Sequence, residues 1–259
     1  MKRTVYMEEM DAFTYRKALA EEDPIVFVPV GALEQHGQHM PMCVDAVLTK
    51  DMAGATAANV DGIVAAPIVY GYKSQQRSGG GFHLAGTTSL SGTTLINIVK
   101  DILCDLCYHG VKKVVFMNGH YENYQFVFEG VDLALREKRR DGIDDVKVML
   151  MSYWDFVDDE TIESLYPEGF TGWDLEHAGV METSLMLLFH PELVHMDKVV
   201  VEPPAQMPNY DVLPIIPEYT PASGCLSCAV QATKEKGIVL RDVAVENMTK
   251  AIKKEFKID

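Results

Sequence analysis

The run Pro24-Ile-Val-Phe-Val-Pro-Val30 carries no polar side chain at either parity. A strand with one wet face alternates apolar and polar residues, so this continuously apolar, β-branched run predicts a strand covered on both faces, as in a parallel sheet. Lys113-Val-Val-Phe-Met117 and Val146-Lys-Val-Met-Leu-Met-Ser152 read as further strands, and Ile63-Val-Ala-Ala-Pro-Ile-Val69 adds a short buried run. Between them lie stretches of helical period at 44–60, at 95–109 before a Gly110 C-cap, and at about 123–138. Strands alternating with helices require right-handed crossovers, which predicts an α/β fold: a layered, mostly parallel sheet with helices on both faces. An apolar helix at 180–189, stopped by Pro191, and a last helix at about 241–256 complete the expectation. Asp45 and Asp174 fit as N-caps of the helices after them. Prolines at 203, 204, 208, 214, 217 and 221 exclude a regular helix from 201 to 224 and predict a segment wrapping the surface or a neighbouring subunit.

At 259 residues, one domain over 1–259 is expected, and 47% hydrophobic with 24% charged residues is the balance of an ordinary globular protein. No apolar stretch approaches the roughly 20 residues of a membrane helix, and the N-terminus turns acidic where a signal peptide stays apolar, so a cytoplasmic protein is expected. A net charge of −15 argues against nucleic acid and anionic membranes as partners and favours a small neutral or cationic ligand. Two Cys-x-x-Cys pairs, Cys104 with Cys107 and Cys225 with Cys228, have zinc-hook spacing. The first pair falls inside the 95–109 helix, away from the tight turn such hooks use, so unlinked thiols are expected.

Chemistry concentrates just beyond the apolar runs. Glu34-Gln-His36 follows the first and His120-Tyr-Glu122 follows the second, each pairing a carboxylate with an imidazole two residues apart. In extended backbone such residues project to one side, and ligands of open parallel sheets bind beyond the carboxyl ends of the strands. Asp45 adds a carboxylate whose two oxygens can bridge two ions, in a nitrogen and oxygen set suited to zinc or manganese. Taken singly, each residue has a bland reading as a loop acid, a cap or a first-turn residue. Their joint position at strand ends points instead to metal-assisted hydrolysis with metal-bound hydroxide as nucleophile. One ion would take Glu34 and His120, the other His36 and Glu122, with Asp45 shared. His177, beside Glu176 and near an expected helix N-terminus, suits proton transfer as a neutral imidazole. Trp154 follows a strand and Trp173 follows Gly172; the second is the better lid over a flat ligand. His39, His83, His109, His190 and His195 read as structural or surface residues.

The segments Gly31-Ala-Leu-Glu-Gln-His-Gly37, Tyr72-Lys-Ser-Gln-Gln76, Ser78-Gly-Gly-Gly81, Asn118-Gly-His-Tyr-Glu-Asn123, Ser152-Tyr-Trp-Asp155 and Trp173-Asp-Leu-Glu-His177 resemble the creatininase family over nearly the whole chain. The resemblance implies reversible hydrolysis of the cyclic amide of creatinine to creatine, a homohexamer, and two divalent ions, Zn2+ and Mn2+ or two Zn2+. It implies manganese on Glu34 and His120, zinc on His36 and Glu122, and Asp45 on both. Ser78, Tyr121, Trp173, Asp174 and His177, with Trp154, would contact substrate, and Glu176 and His177 would move protons, with Glu122 beside them. Departures at Phe82, Leu84, Ala85 and Ala178 leave each of these positions intact. The alternatives are an amidohydrolase acting on a formamide or peptide-like amide, and a module that binds a guanidino ligand without turning it over.

Overall fold

The computed structural model describes residues 3–258. Four parallel strands, β1 (Ile25–Val30), β2 (Ile63–Val64), β3 (Lys113–Asn118) and β4 (Lys147–Ser152), lie in the order β2-β1-β3-β4. The helices are α1 (Ala12–Glu21), α2 (Val44–Ala58), α3 (Gln76–Gly79), α4 (Gly92–Tyr108), α5 (Tyr124–Arg140), α6 (Asp159–Leu165), α7 (Val180–Phe189) and α8 (Lys234–Phe256), with short 3-10 turns between several of them.

All of β1 is buried because each face of the strand has its own apolar layer. Ile25 and Phe27 join Val115 and Met117 against Leu48 and Met52 of α2, Leu185 of α7 and Met248 of α8. Val26, Val28 and Val30 join Val114 and Phe116 against Leu95, Val99 and Leu103 of α4 and Val127 of α5. The alternation of period two hidden in the uniform run thus sorts its side chains between two cores. Pro29 is tolerated because its missing N–H lies on the side where β2 has already ended, and there its carbonyl accepts from Ile68 N at 2.9 Å.

Register positions the functional loops. Val30 pairs with Asn118 and Asn118 with Ser152, so the carboxyl ends of β1, β3 and β4 are level. Asn123 ties the loops beyond them: its amide donates to Gly31 O at 3.0 Å and its carbonyl accepts from Tyr72 N at 2.7 Å.

Several local expectations change in the folded chain. Asp45 does not cap α2; Cys43 holds that position without a side-chain bond, and Asp45 sits buried in the first turn. Asp174 does not cap α7 either, since it lies in the 3-10 turn Trp173–Leu175 and Gly179 precedes the helix. The helices α1 and α6 lack a clear apolar stripe and are set by caps, Asp11 accepting from Phe13 N and Thr14 N, and Asp158 accepting from Thr161 N. The last helix starts well before 241, at Lys234, where Thr233 caps it by accepting from Lys236 N. The free cysteines stay apart from any group of ligating side chains among the described residues. No helix there is long and apolar enough to cross a membrane.

Gly237 lets the first turns of α8 lie close against α7. A Cβ at this position would press on the Ser184 carbonyl of α7, so the two helices meet closely only because glycine stands there. Gly237→Ala is expected to destabilise the fold by about 1–3 kcal/mol, read as a lower urea midpoint. An unchanged midpoint would mean that α7 and α8 part without strain.

Candidate metal and substrate site

Glu34 and His36 leave β1, Asp45 enters from α2, His120 and Glu122 leave β3, and Trp154 leaves β4. The loop before α7 brings Trp173, Glu176 and His177 over them, and all of these except the buried His36 line one crevice with Ser78, Tyr121 and Glu182. Burial is nearly complete for Glu34, His36, Asp45 and His120.

Each imidazole is oriented by a backbone carbonyl. His36 Nδ1 lies 3.1 Å from the Glu34 carbonyl, which can only accept, so the hydrogen sits on Nδ1 and Nε2 is left bare. That Nε2 is 3.0 Å from Asp45 Oδ1 and 3.6 Å from Glu182 Oε2. His120 Nε2 donates to the Tyr72 carbonyl at 3.1 Å, which leaves its Nδ1 bare at 3.1 Å from both Glu34 Oε2 and Asp45 Oδ2. Fixing one ring nitrogen so that the other faces a metal is the usual outer-shell device of histidine ligands.

Three groups of ligating atoms result, Glu34 with Asp45 and His120, His36 with Asp45 and Glu182, and Glu34 with His36 and His177; the first two share Asp45 through its separate oxygens. Glu34 Oε1, His36 Nε2 and Asp45 Oδ2 are buried without a hydrogen-bond partner among the described residues. Bare acceptors crowded onto acceptors in a dry site are stable only with positive charge between them, so the residues fit a pair of divalent cations. Protons can substitute for that charge. Burial depresses the His36 and His120 pKa values, yet the carboxylates of Asp45 and Glu182 around one ring and of Glu122 and Glu34 around the other outweigh it and hold both well above the ordinary histidine value. Burial pushes Glu34 up to about 7. Burial also opposes ionisation of Asp45, but His36 and His120 prevail and hold it well below the usual range.

Glu122 stands elsewhere than beside His36. Its Oε2 is 3.2 Å from His120 Nε2, and its Oε1 accepts from Gln75 N and Ser78 Oγ, each at 2.7 Å. His120 is extended but Glu122 lies in a 3-10 turn, so the parity expected of residues two apart does not hold here. The place beside His36 belongs to Glu182, which the sequence reading passed over because it lies in the apolar helix α7. A lone acid in that run was the available signal.

His177 is buried and neutral: burial and the neighbouring His36 depress its pKa well below the usual value. It precedes α7 without joining its first turn, so desolvation replaces the helix dipole as the physical cause. Its Nδ1 lies 4.0 Å from Glu34 Oε2. Trp173 is partly exposed at the mouth and packs edge-on against Phe170 at 5.0 Å, which packs on Tyr166 at 4.9 Å. Tyr166 in turn donates to Glu176 Oε1 at 2.8 Å, which links Trp173 through Phe170 to the buried acid. Tyr121 is exposed beside Asp174, and burial together with that carboxylate raises its phenol pKa. Trp154 packs edge-on against buried Tyr153 at 5.1 Å.

Burial raises Glu176 to about 7 from an ordinary 4.5. The folded carboxyl therefore holds its proton more tightly than the unfolded one, so its contribution to stability is full below about pH 4.5 and is lost as pH rises through about 7. In chelated protein, Glu176→Gln is expected to flatten the decline in stability across that window by about 2–4 kcal/mol. Parallel stability curves for the variant and the parent would refute this.

Residues 8–252 match the family model for creatininase, described as creatinine amidohydrolase. The creatinine amidohydrolase of Pseudomonas putida is 51% identical over 257 residues, 99% of each chain. A solved E122Q mutant creatininase complexed with creatine superposes with a TM-score of 0.95 at 50% identity, covering 98% of this chain and 99% of that chain. A manganese creatininase structure gives 0.96 at 51% identity with the same coverage. The parallel sheet, the crevice at its carboxyl edge and a match spanning almost the full length agree: the chain belongs to the creatininase family.

Proposed function

We propose that the chain catalyses the reversible, metal-dependent hydrolysis of the cyclic amide of creatinine to creatine. The observation that carries this reading is the pair of ligand groups joined by Asp45 and set against His177, in a chain 51% identical to a creatinine amidohydrolase. Two divalent ions, zinc with manganese or two zinc, would supply Lewis acidity and an ionised water. Glu34, His120 and Asp45 would hold one. His36 and Asp45 would hold the other, with Glu182 beside them and Glu122 proposed as a further ligand from across the His120 ring.

The remaining residues bind, orient and protonate. Creatinine is small and flat, and Trp173 would cover it while Trp154 forms a wall and Ser78, Tyr121 and Asp174 offer polar contacts. Opening the ring requires water to add to the carbonyl carbon, the carbon–nitrogen bond to break and the departing nitrogen to gain a proton. His177, close to Glu34 and neutral, would donate a hydrogen bond to that nitrogen and relay to it the proton released by the attacking water, so that the ring is neutral before and after, and Glu176 holds the segment behind it. Closure of the Trp173 loop would exclude bulk water. The same reading carries a homohexamer, a single domain over 1–259 and a cytoplasmic location.

Purified, zinc- or manganese-loaded protein is expected to interconvert creatinine and creatine, followed by chromatography of both compounds. No conversion in either direction, with turnover of formamides or short peptides instead, would replace this substrate. Calorimetric binding of creatinine without product would replace the reaction.

A further inference from the structure

The motif Glu34-Gln-His36 contains a residue that the site so far does not use. Gln35 turns its side chain away from the ion-binding groups and toward His177, with Nε2 to Nε2 at 3.0 Å. Both ends of its amide are pinned. Gln35 Oε1 accepts from Gly37 N at 3.0 Å, and Gln35 Nε2 donates to the Gly224 carbonyl at 2.8 Å. A peptide N–H can only donate and a carbonyl can only accept, so the two neighbours decide which end of the amide is nitrogen. The group facing His177 is therefore an N–H donor, and His177 Nε2 must meet it with a lone pair. An imidazole whose Nε2 is bare carries its hydrogen on Nδ1, the nitrogen turned toward Glu34 and the crevice.

From this geometry we infer that Gln35 is a positioning residue that locks His177 as the Nδ1–H tautomer, so that the ring presents a hydrogen-bond donor to the substrate. The inference rests on the reading of His177 as the group that meets the departing nitrogen. The other tautomer would set donor against donor at Gln35 and a lone pair against the Glu34 carboxylate. Gln35 thus selects the edge of the ring that is useful to a leaving nitrogen and excludes the edge that would repel it.

The proline-rich segment 201–224 completes the lock. Gly224 supplies the carbonyl that orients the amide, and Leu226 N donates to the His177 carbonyl at 3.1 Å, so the end of that segment holds both partners. Gly224 has φ of +81°, and a Cβ there would collide with Gln35 Oε1. Only glycine permits this approach.

The test is a long-range proton–nitrogen correlation spectrum of zinc-loaded protein labelled with 15N-histidine, with His177 assigned by the signals lost in His177→Ala. The expected result is a bare Nε2 and a protonated Nδ1. Gln35→Met removes the donor at similar volume and is expected to shift His177 toward a mixture of tautomers, to lower kcat for creatinine by about 10–100-fold and to leave KM and zinc content little changed. In a His177→Ala background the same substitution is expected to change kcat less than about twofold, because Gln35 acts through the ring. A protonated Nε2 in the parent protein, with its hydrogen given to some other acceptor, overturns the inference. So does an equal loss of kcat from Gln35→Met with and without His177. The spectrum of the parent needs no substrate and, beyond the His177→Ala assignment, no variant, so it stands apart from the choice of creatinine as substrate and from any failure of Gln35→Met to fold.

Discussion

An Asp45→Ala variant is expected to lose at least one bound ion and to fall by about a thousandfold or more in creatinine turnover. Asp45 Oδ1 and Oδ2 lie 3.0 Å from His36 Nε2 and 3.1 Å from His120 Nδ1, so one side chain closes both ligand groups. Removing it leaves the bare nitrogens of two buried imidazoles without the anion between them. Electrostatic stabilisation by metal is worth several kcal/mol in the transition state, and each 1.36 kcal/mol is about tenfold in rate. Asp45→Asn keeps the volume but offers a single oxygen acceptor, and is expected to fall between the parent and the alanine variant. Elemental analysis alongside the creatinine assay decides the matter. Full occupancy by two ions with a tenth or more of the parent's rate would show that Asp45 does not bridge. Chelation of the parent should abolish turnover, and restored metal should return it.

His177→Ala is expected to lower kcat by about 10²–10⁴-fold, the usual range for a positioned acid or base. Metal content should not change, because both groups closed by Asp45 are complete without His177. Separation of the two readouts is the informative result. Loss of ions together with rate would make His177 a metal ligand, which its grouping with Glu34 and His36 also permits. A rate near the parent's would remove it from proton transfer altogether.

Much of this protein can be read from local pattern. The uniformly apolar run in β1 implied two covered faces, and the two cores on either side of Phe27 and Val28 show why. The ligand couplets could be recognised because ionisable residues crowding the end of an apolar strand have no packing reason to be there. Other features were not legible. Asp45 has the sequence position of a helix cap, yet the imidazoles of His36 and His120 compete successfully for its oxygens. Glu182 sits within an apolar helix run, and nothing local tells that its turn of α7 faces His36. Gln35 looked like a spacer, because the Gly224 carbonyl that orients it lies far along the chain. The caps of α1 and α6 were present in sequence, but short helices without a continuous apolar stripe leave only those weak end signals.

Periodicity and chemical type, which act between neighbours in the chain, were enough to specify a parallel sheet, its covering helices and an edge rich in carboxylates and imidazoles. The grouping of those ligands was decided only when β1, β3 and β4 came into register and α2 and α7 packed onto one face. Which oxygen meets which nitrogen depends on distances of a few ångströms between segments remote in sequence. Such distances follow from the packing of two cores, and no single stretch of residues encodes them.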